Sequence, residues 1–264
     1  IPFSSDRMKG YSAFANKVWN AARFILMNLR EEDTPVVPEE IDEFVARNRD
    51  AIPLEDMWIL HRMNRVSAEI SEALDKFRFH EASALIYQFI WHEFCDWYIE
   101  LVKPVLTNPQ VPEQEREPRV KVLVHTMDFA LRMLHPFMPF ITEELWQNLP
   151  IQKEADSLIV APWPEERPEY TFSEKRNRYE ALIEEIRGIR NLRAQFQVPP
   201  SQKFSVAIRF LGQPGTGLLE EETTYIRFLA NVEAVTVVDQ KPGKSATAYV
   251  DSAREIYVIL GETI

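Results

Sequence analysis

The sequence predicts a mainly α-helical protein, an antiparallel helix bundle followed by a small α+β subdomain. Over residues 1–150, apolar residues recur every three or four positions, which is the pattern of amphipathic helices. Pro-rich linkers separate these patterns at short intervals, as expected between antiparallel neighbours. Later in the chain the apolar period shortens to two, which is typical of half-buried strands. We therefore predict a bundle over residues 1–150, a connecting strap over 151–172, and a long helix with the α+β subdomain over 173–264.

The first predicted helix covers residues 8–30. At about 100° per residue, one stripe of this helix is apolar, so we expect the stripe to face the core. Its members are Tyr11, Ala15, Val18, Ala22, Ile25, Leu26 and Leu29. The segment that follows, EEDTPVVPEE, is acidic and rich in proline, and it predicts a connector.

Three further helical patterns come next in the bundle. Residues 54–77 repeat the amphipathic spacing, and residues 79–102 are apolar on most sides, which predicts the buried central helix. We expect Pro104 to end that helix, because proline lacks the backbone N–H that an α-helix uses. After the linker LTNPQVPEQEREPR, another helix is predicted over residues 120–134.

The last predicted helix of the bundle is ITEELWQNL, which follows a break imposed by Pro136 and Pro139. Thr142 stands at its start, where a hydroxyl can cap free backbone N–H groups. The segment beyond it, PIQKEADSLIVAPWPEERPEY, is rich in proline and acid and predicts the strap.

The final part of the chain mixes both patterns. A long helix is predicted over residues 173–196, and the alternating segment KFSVAIRFL predicts a strand. A second helix is predicted at GLLEEETTYIRFLANV. Three more strands are predicted at EAVTVVD, ATAYVD and REIYVIL.

The overall charge limits the kinds of partner that the protein can bind. Lys and Arg number 30 against 41 Asp and Glu, which gives a formal net charge of -11. A generally basic, nucleic-acid-binding surface is thereby excluded, so any nucleic-acid site must be a local patch. The sequence contains only 7 glycines, which leaves little for a Gly-rich phosphate-binding loop.

Cysteine usage and the first residues of the chain bear on its compartment. The only cysteine is Cys95, so an intrachain disulfide and a Cys-based metal cage are excluded. One cysteine fits a reducing cytoplasm, and no apolar run is long enough for a membrane span. The start, IPFSSDRMKG, has neither a leader pattern nor an initiator Met. We therefore expect a cytoplasmic protein of which this chain is an excerpt.

The block WHEFCDWY groups residue types that are found at metal and thiol sites, namely His92, Glu93, Cys95 and Asp96. On a helix, however, His92 and Cys95 have aromatic neighbours, and no second Cys or His-rich segment occurs at ligand spacing. A packed core with ion pairs at the helix end is the favoured interpretation. We predict no catalytic residue and no metal site in this chain.

The face of the first helix opposite its apolar stripe is the strongest candidate for a binding site. Besides Lys9, it carries Asn16, Lys17, Asn20, Arg23, Phe24 and Met27. Asn is a poor helix former, so two of them in mid-helix favour a role other than stability. Amides can read base edges, cations can contact phosphates and a ring can stack, as an unpaired nucleic-acid loop requires. The alternative is that this face packs on another helix or on a neighbouring domain.

A second basic stripe lies on the long helix of the final part. Arg187, Arg190 and Arg193 are spaced by three, and no acidic residue occurs between Ile186 and Phe210. These arginines could contact phosphates. A solvated helix face, or pairing with the acidic strap, explains them equally well.

Five blocks of the chain, in order and over nearly its whole length, match a known pattern. They are ANKVWNAARFILMNL, DMWILHRMN, FHEASALIYQFIWHEFCDWYIELVKP, HPFMPFITEELWQNLP and IRGIRNLRAQFQVPP. Together they resemble the C-terminal region of the valyl-tRNA synthetases, which are class I aminoacyl-tRNA synthetases. The related leucine and isoleucine enzymes share versions of HPFMPFITEELW, whereas HEFCDWYIELVKP is typical of the valine enzymes.

The resemblance implies a helical anticodon-binding domain that reads tRNA-Val. It places Asn16, Lys17, Asn20, Arg23 and Phe24 on the reading surface. It also implies a longer parent chain, expected to be monomeric, in which catalytic, editing and coiled-coil domains lie outside this sequence. The parent enzyme is expected to use ATP and Mg²⁺. No cofactor is expected in this chain, because the ATP-site signatures of the family are absent.

Two alternatives to this function stay open. The first is an acidic helical scaffold for protein partners, which would present a large exposed apolar patch. The second is the same module from an isoleucyl- or leucyl-tRNA synthetase.

Overall fold

The computed structural model of the chain describes residues 5–30, 33, 35–49, 52–199, 202–211 and 220–259. It contains two compact units, Ile1–Arg176 and Asn177–Ile264. The first unit is helical and the second combines helices with one sheet, which confirms the predicted fold class.

The described part of the first unit contains seven complete α-helices and one π-helical segment. They are α1 (Ser5–Met27), α2 (Pro38–Asn48), α3 (Leu54–Asp75), α4 (Phe79–Tyr87), the π segment (Gln88–Tyr98), α5 (Ile99–Leu106), α6 (Glu113–Leu134) and α7 (Pro139–Asn148). The core lies between α3, the π segment and α6, where Leu60, Phe94 and Leu131 are fully buried. Each such side chain stabilises the fold by about 1.5–3 kcal/mol.

The helix α2 was not predicted, because its first turn falls in the acidic, Pro-rich segment that predicts a connector. Pro38 occupies the first turn, where its missing N–H costs nothing, and Glu39 and Glu40 follow it at the positive end of the helix dipole. Ile41 and Val45, one turn apart, are buried and hold the helix on the bundle.

Three boundaries predicted from prolines and caps are wrong. The helix at Pro104 continues to Leu106, because a proline in the last turn removes only one backbone hydrogen bond. The helix α6 begins at Glu113, not near Val120, and it accommodates Pro118. In α7, Pro139 takes the first turn, and the Thr142 hydroxyl donates to the Met138 carbonyl at 2.9 Å, so Thr142 lies inside the helix and is not its cap.

Residues 151–172 contain two short 3₁₀ turns, Leu158–Val160 and Pro168–Tyr170. They pack on the helices of the first unit: Trp163 Nε1 donates to the Ser71 hydroxyl at 2.9 Å, and the Tyr170 hydroxyl donates to Asp42 at 2.6 Å. Tyr170 is buried. The segment predicted as a strap is therefore fixed to the bundle by side-chain hydrogen bonds.

The helix α8 (Ser173–Gln195) begins in the last residues of the first unit. In the second unit, most of α8 and all of α9 (Glu220–Leu229) accompany a four-stranded sheet. The strands are β1 (Phe204–Phe210), β2 (Val232–Val237), β3 (Ser245–Val250) and β4 (Arg254–Ile259), in the order β2-β1-β4-β3. Within this sheet the β1–β2 pair is parallel, and the β1–β4 and β3–β4 pairs are antiparallel. All four strands agree with the predicted segments. Gly188 lets α8 approach β3, because a Cβ there would overlap the carbonyl oxygen of Ala248.

Candidate nucleic-acid interface

The helix α1 packs on the first unit through a narrower stripe than the sequence predicts. Its buried residues are Phe14, Val18, Ala21, Ala22 and Ile25. Tyr11 and Leu26, which we predicted on this stripe, are 68% and 37% exposed. Phe14 and Ala21 are buried instead, because the stripe is centred on Val18 and Ile25 and its edges reach solvent.

Four of the six predicted site residues form one exposed surface, which we call the open face of α1. It consists of Asn16, Asn20, Arg23 and Met27. Within the part of the chain that the structure describes, no hydrogen bond, ion pair or ring contact engages these four side chains. The sequence from Arg7 to Arg30 contains no acidic residue. The open face therefore presents two amides and one unneutralised guanidinium group to solvent.

Lys17 lies at the edge of the open face and is engaged by the π segment. Its Nζ donates to Asp96 Oδ1 at 2.6 Å and lies 5.2 Å from the centroid of the Trp91 ring. Nδ1 of His92 is 3.2 Å from the other carboxylate oxygen of Asp96. Because Asp96 neutralises the ammonium group, Lys17 contributes to joining α1 to the π segment. Its predicted contact with nucleic acid stays a prediction.

Phe24, the remaining predicted residue, is half-buried on the same edge of α1 as Lys17. The Lys103 ammonium nitrogen lies 5.6 Å from the centroid of its ring and also pairs with Glu100. Lys103 thus places a cation beside the ring. Sequence reasoning missed this residue, because a helix projection of residues 8–30 contains no information about a lysine on α5.

The π segment holds the cluster His92, Glu93, Cys95 and Asp96. Glu93 accepts two hydrogen bonds from Arg62, at 2.7 and 2.9 Å, and Cys95 is buried. Burial raises the pKa of the Cys95 thiol to about 12, so it is protonated at neutral pH and is a poor nucleophile. In the described ranges, no group of three or more His, Cys, Asp or Glu side chains is placed to hold a metal ion.

A buried polar cluster joins the π segment, α3 and α6. The Tyr98 hydroxyl donates to Asp56 at 2.7 Å, and Arg119 Nε lies 3.3 Å from the neighbouring Glu55. Burial, and then the charge of Glu55, raises the pKa of Asp56 to about 7. The cluster ties α3 to the segment that carries Trp91 and Asp96 toward α1.

The arginine stripe of α8 lies in the second unit. Arg190 Nε donates to the Leu229 carbonyl at 2.9 Å, and Arg193 donates to the carbonyls of Gln202 and Asn231 at 3.0 and 3.3 Å. Arg187 is exposed and pairs with Glu184. Two of the three guanidinium groups therefore bind backbone carbonyls of their own unit. A phosphate contact by this stripe stays a prediction.

No helix among the described residues is both long and apolar enough to cross a membrane. A family model described as the anticodon-binding domain of tRNA ligase matches residues 56–208. This range begins in α3, so α1 precedes it.

Curated relatives extend the similarity over α1. The valine–tRNA ligase of Fervidobacterium nodosum is 44% identical over 254 residues, which cover 96% of this chain and 27% of that protein. The valine–tRNA ligase of Thermotoga maritima is 43% identical over the same shares. That of Aquifex aeolicus is 35% identical over 98% of this chain and 22% of its own length. The chain thus spans about a quarter of the length of these relatives.

Proposed function

The chain belongs to the family of anticodon-binding domains of tRNA ligases, and we propose that it recognises the anticodon of tRNA-Val as part of a longer valine–tRNA ligase. The observation that carries this proposal is the open face of α1. Among the described residues it combines free amides with a free guanidinium group, on a helix whose sequence contains no acidic residue after Asp6. A polar, cationic surface of this kind suits a polyanion with unpaired bases.

Each side chain has a task that follows from its chemistry. The amides of Asn16 and Asn20 can donate to and accept from base edges, which selects the base. Arg23 supplies a full positive charge for a phosphate or a base edge. The ring of Phe24, with the Lys103 ammonium group beside it, offers a stacking surface.

In the reaction of the parent enzyme, this chain has a binding role. We infer that other parts of the protein form valyl-adenylate from valine and ATP, with Mg²⁺, and transfer valine to the tRNA. A valine site rejects threonine only by about a hundredfold, so editing belongs to a further part of the parent. Anticodon recognition contributes by favouring the right tRNA and holding it in place. We further propose a monomeric parent in the cytoplasm.

The alternatives are less well supported. A scaffold for protein partners requires a large exposed apolar patch, whereas the open face is mostly polar. The isoleucyl and leucyl alternatives are disfavoured because the three relatives compared above are named valine–tRNA ligases.

Binding of the chain to purified tRNA-Val, tRNA-Ile and tRNA-Leu tests the proposal. We expect the highest affinity for tRNA-Val, and a lower affinity for a form of tRNA-Val whose anticodon is changed. Asn20→Ala should reduce the preference between the two forms of tRNA-Val, since an amide that reads a base edge discriminates between bases. Equal affinity for all these RNAs, or insensitivity of binding to salt concentration, would contradict anticodon reading.

A further inference from the structure

Trp19 projects from α1 on the flank of the open face opposite Phe24. At about 100° per residue, the two rings are about 140° apart around the helix axis, with Asn20 and Arg23 between them. The indole is 46% exposed. Among the described residues, no hydrogen bond or ring contact engages it.

The exposed part of the indole is unfavourable in a free protein, because burial of more of so large an apolar group would be stabilising. Leu26, two helical turns further along the same flank, is 37% exposed and extends this apolar strip. The strip borders the guanidinium group of Arg23, and no acidic residue lies on α1 between Arg7 and Met27. The neighbouring charge therefore favours a polyanionic occupant with flat apolar groups.

We propose that Trp19 is a second stacking surface for an unpaired nucleobase, so that the RNA loop lies across α1. One base stacks on Phe24 and a different base stacks on Trp19, while Asn20 and Arg23 contact the loop between them. This inference rests on the proposed function and adds a residue to it. Because every base has a π face, Trp19 contributes affinity with little preference for base identity.

The experiment measures binding of the whole chain to the anticodon stem–loop of tRNA-Val. Trp19→Ala should raise the dissociation constant about 5- to 150-fold with only a slight fall in melting temperature, because nearly half of the indole is already exposed. Trp19→Phe, which keeps a ring, should recover most of the affinity. Phe140→Ala is the matched control, because Phe140 is 90% exposed on α7, and it should leave affinity unchanged.

Stem–loops with one abasic nucleotide at each loop position then locate the stacked bases. The effect of Trp19→Ala should disappear on one abasic loop, and that of Phe24→Ala on a different one. If wild-type chain does not bind the stem–loop, the proposed function itself fails. If Phe24→Ala weakens binding and Trp19→Ala does not, or if both effects disappear on the same abasic loop, the second stacking surface is overturned while the proposed function stands.

Discussion

Phe24 is the residue whose truncation best separates binding from packing, because its ring is half-buried. If an anticodon base stacks on the ring, Phe24→Ala should weaken binding by about 1–3 kcal/mol, roughly 5- to 150-fold in dissociation constant. The melting temperature should fall only slightly. Truncation of the fully buried Phe94 provides the comparison, because a core phenylalanine typically loses about 3–5 kcal/mol of stability. A large fall in melting temperature with intact anticodon discrimination would assign the Phe24 ring to packing.

The raised pKa of Asp56 predicts that the stability of the fold depends on pH. Burial, followed by the charge of Glu55, raises its pKa from 3.8 to about 7. Between these values the folded protein keeps a proton that the unfolded chain has lost, so the unfolding free energy falls as pH rises, by up to about 1.4 kcal/mol per pH unit. Above pH 7 Asp56 is ionised in both the folded and the unfolded state, so its effect on the unfolding free energy no longer changes with pH.

Asp56→Asn tests this, because asparagine keeps an acceptor for the Tyr98 hydroxyl and cannot ionise. Urea unfolding should show little difference between variant and wild type near pH 4 and a clear stabilisation of the variant near pH 8. Equal stability at pH 8, or a variant that is less stable there, would show that the carboxylate is well accommodated in its charged form.

Site residues whose orientation follows from the periodicity of a single helix could be predicted from the sequence. Site residues that reach α1 only through tertiary contacts could not. The helical projection separates Asn16, Asn20 and Arg23 from the core, because helix periodicity alone determines which way they point. It misplaces Tyr11, since the width of a buried stripe depends on the neighbouring helices. Asp96 and Lys103 meet α1 only through the fold, so no local pattern indicates them.

At the scale of elements, patterns of apolar residues predicted which segments are helices and strands better than they predicted where helices begin and end. The π segment was predicted as ordinary helix, because i+5 hydrogen bonding leaves no distinct mark on an apolar run of this length. The first turn of α6, which was not predicted, carries Arg116, and this residue is fully buried. The three-part division into residues 1–150, 151–172 and 173–264 stays a prediction.

Arg116 fixes the end of α1 to the start of α6. Its Nη1 and Nη2 each donate to Asp33 at 2.9 Å, and Nη2 also donates to the Asn28 carbonyl at 2.5 Å. Arg116→Met leaves Asp33, which is itself buried, without its strongest partner, and should cost about 3–5 kcal/mol of stability. Urea unfolding measures this loss.

Arg47→Met is the control for the Arg116 substitution, because Arg47 lies on an exposed face and pairs with Glu43 one turn away; the expected loss is below about 1 kcal/mol. In addition, the Arg116 variant should bind the stem–loop more weakly, since the end of α1 that carries Arg23 and Met27 loses its anchor. If the Arg116 and Arg47 variants lose similar amounts of stability, the buried pair of Arg116 with Asp33 does not fix the end of α1.

At the scale of the whole molecule, an acidic chain must bind a polyanion through few cations. The net charge is -11, so long-range attraction is absent and each phosphate contact should register in the salt dependence of binding. The two basic regions differ in how their guanidinium groups are used. Among the described residues, no partner engages the guanidinium group of Arg23, whereas Arg190 and Arg193 bind backbone carbonyls within the second unit.

This difference predicts that the two regions respond differently to truncation. Arg23→Ala should flatten the slope of log K against log salt concentration by about 0.7–0.9, the value for one phosphate contact. Arg190→Ala and Arg193→Ala should leave the slope unchanged and lower the melting temperature, because each removes a charged donor from backbone carbonyls, at a cost of about 1.5–3 kcal/mol. Arg187→Ala, at an exposed pair with Glu184, should change neither quantity measurably. If instead any arginine of the α8 stripe flattens the slope for all tRNAs alike, the second unit also contacts the phosphate backbone, and recognition extends beyond the anticodon.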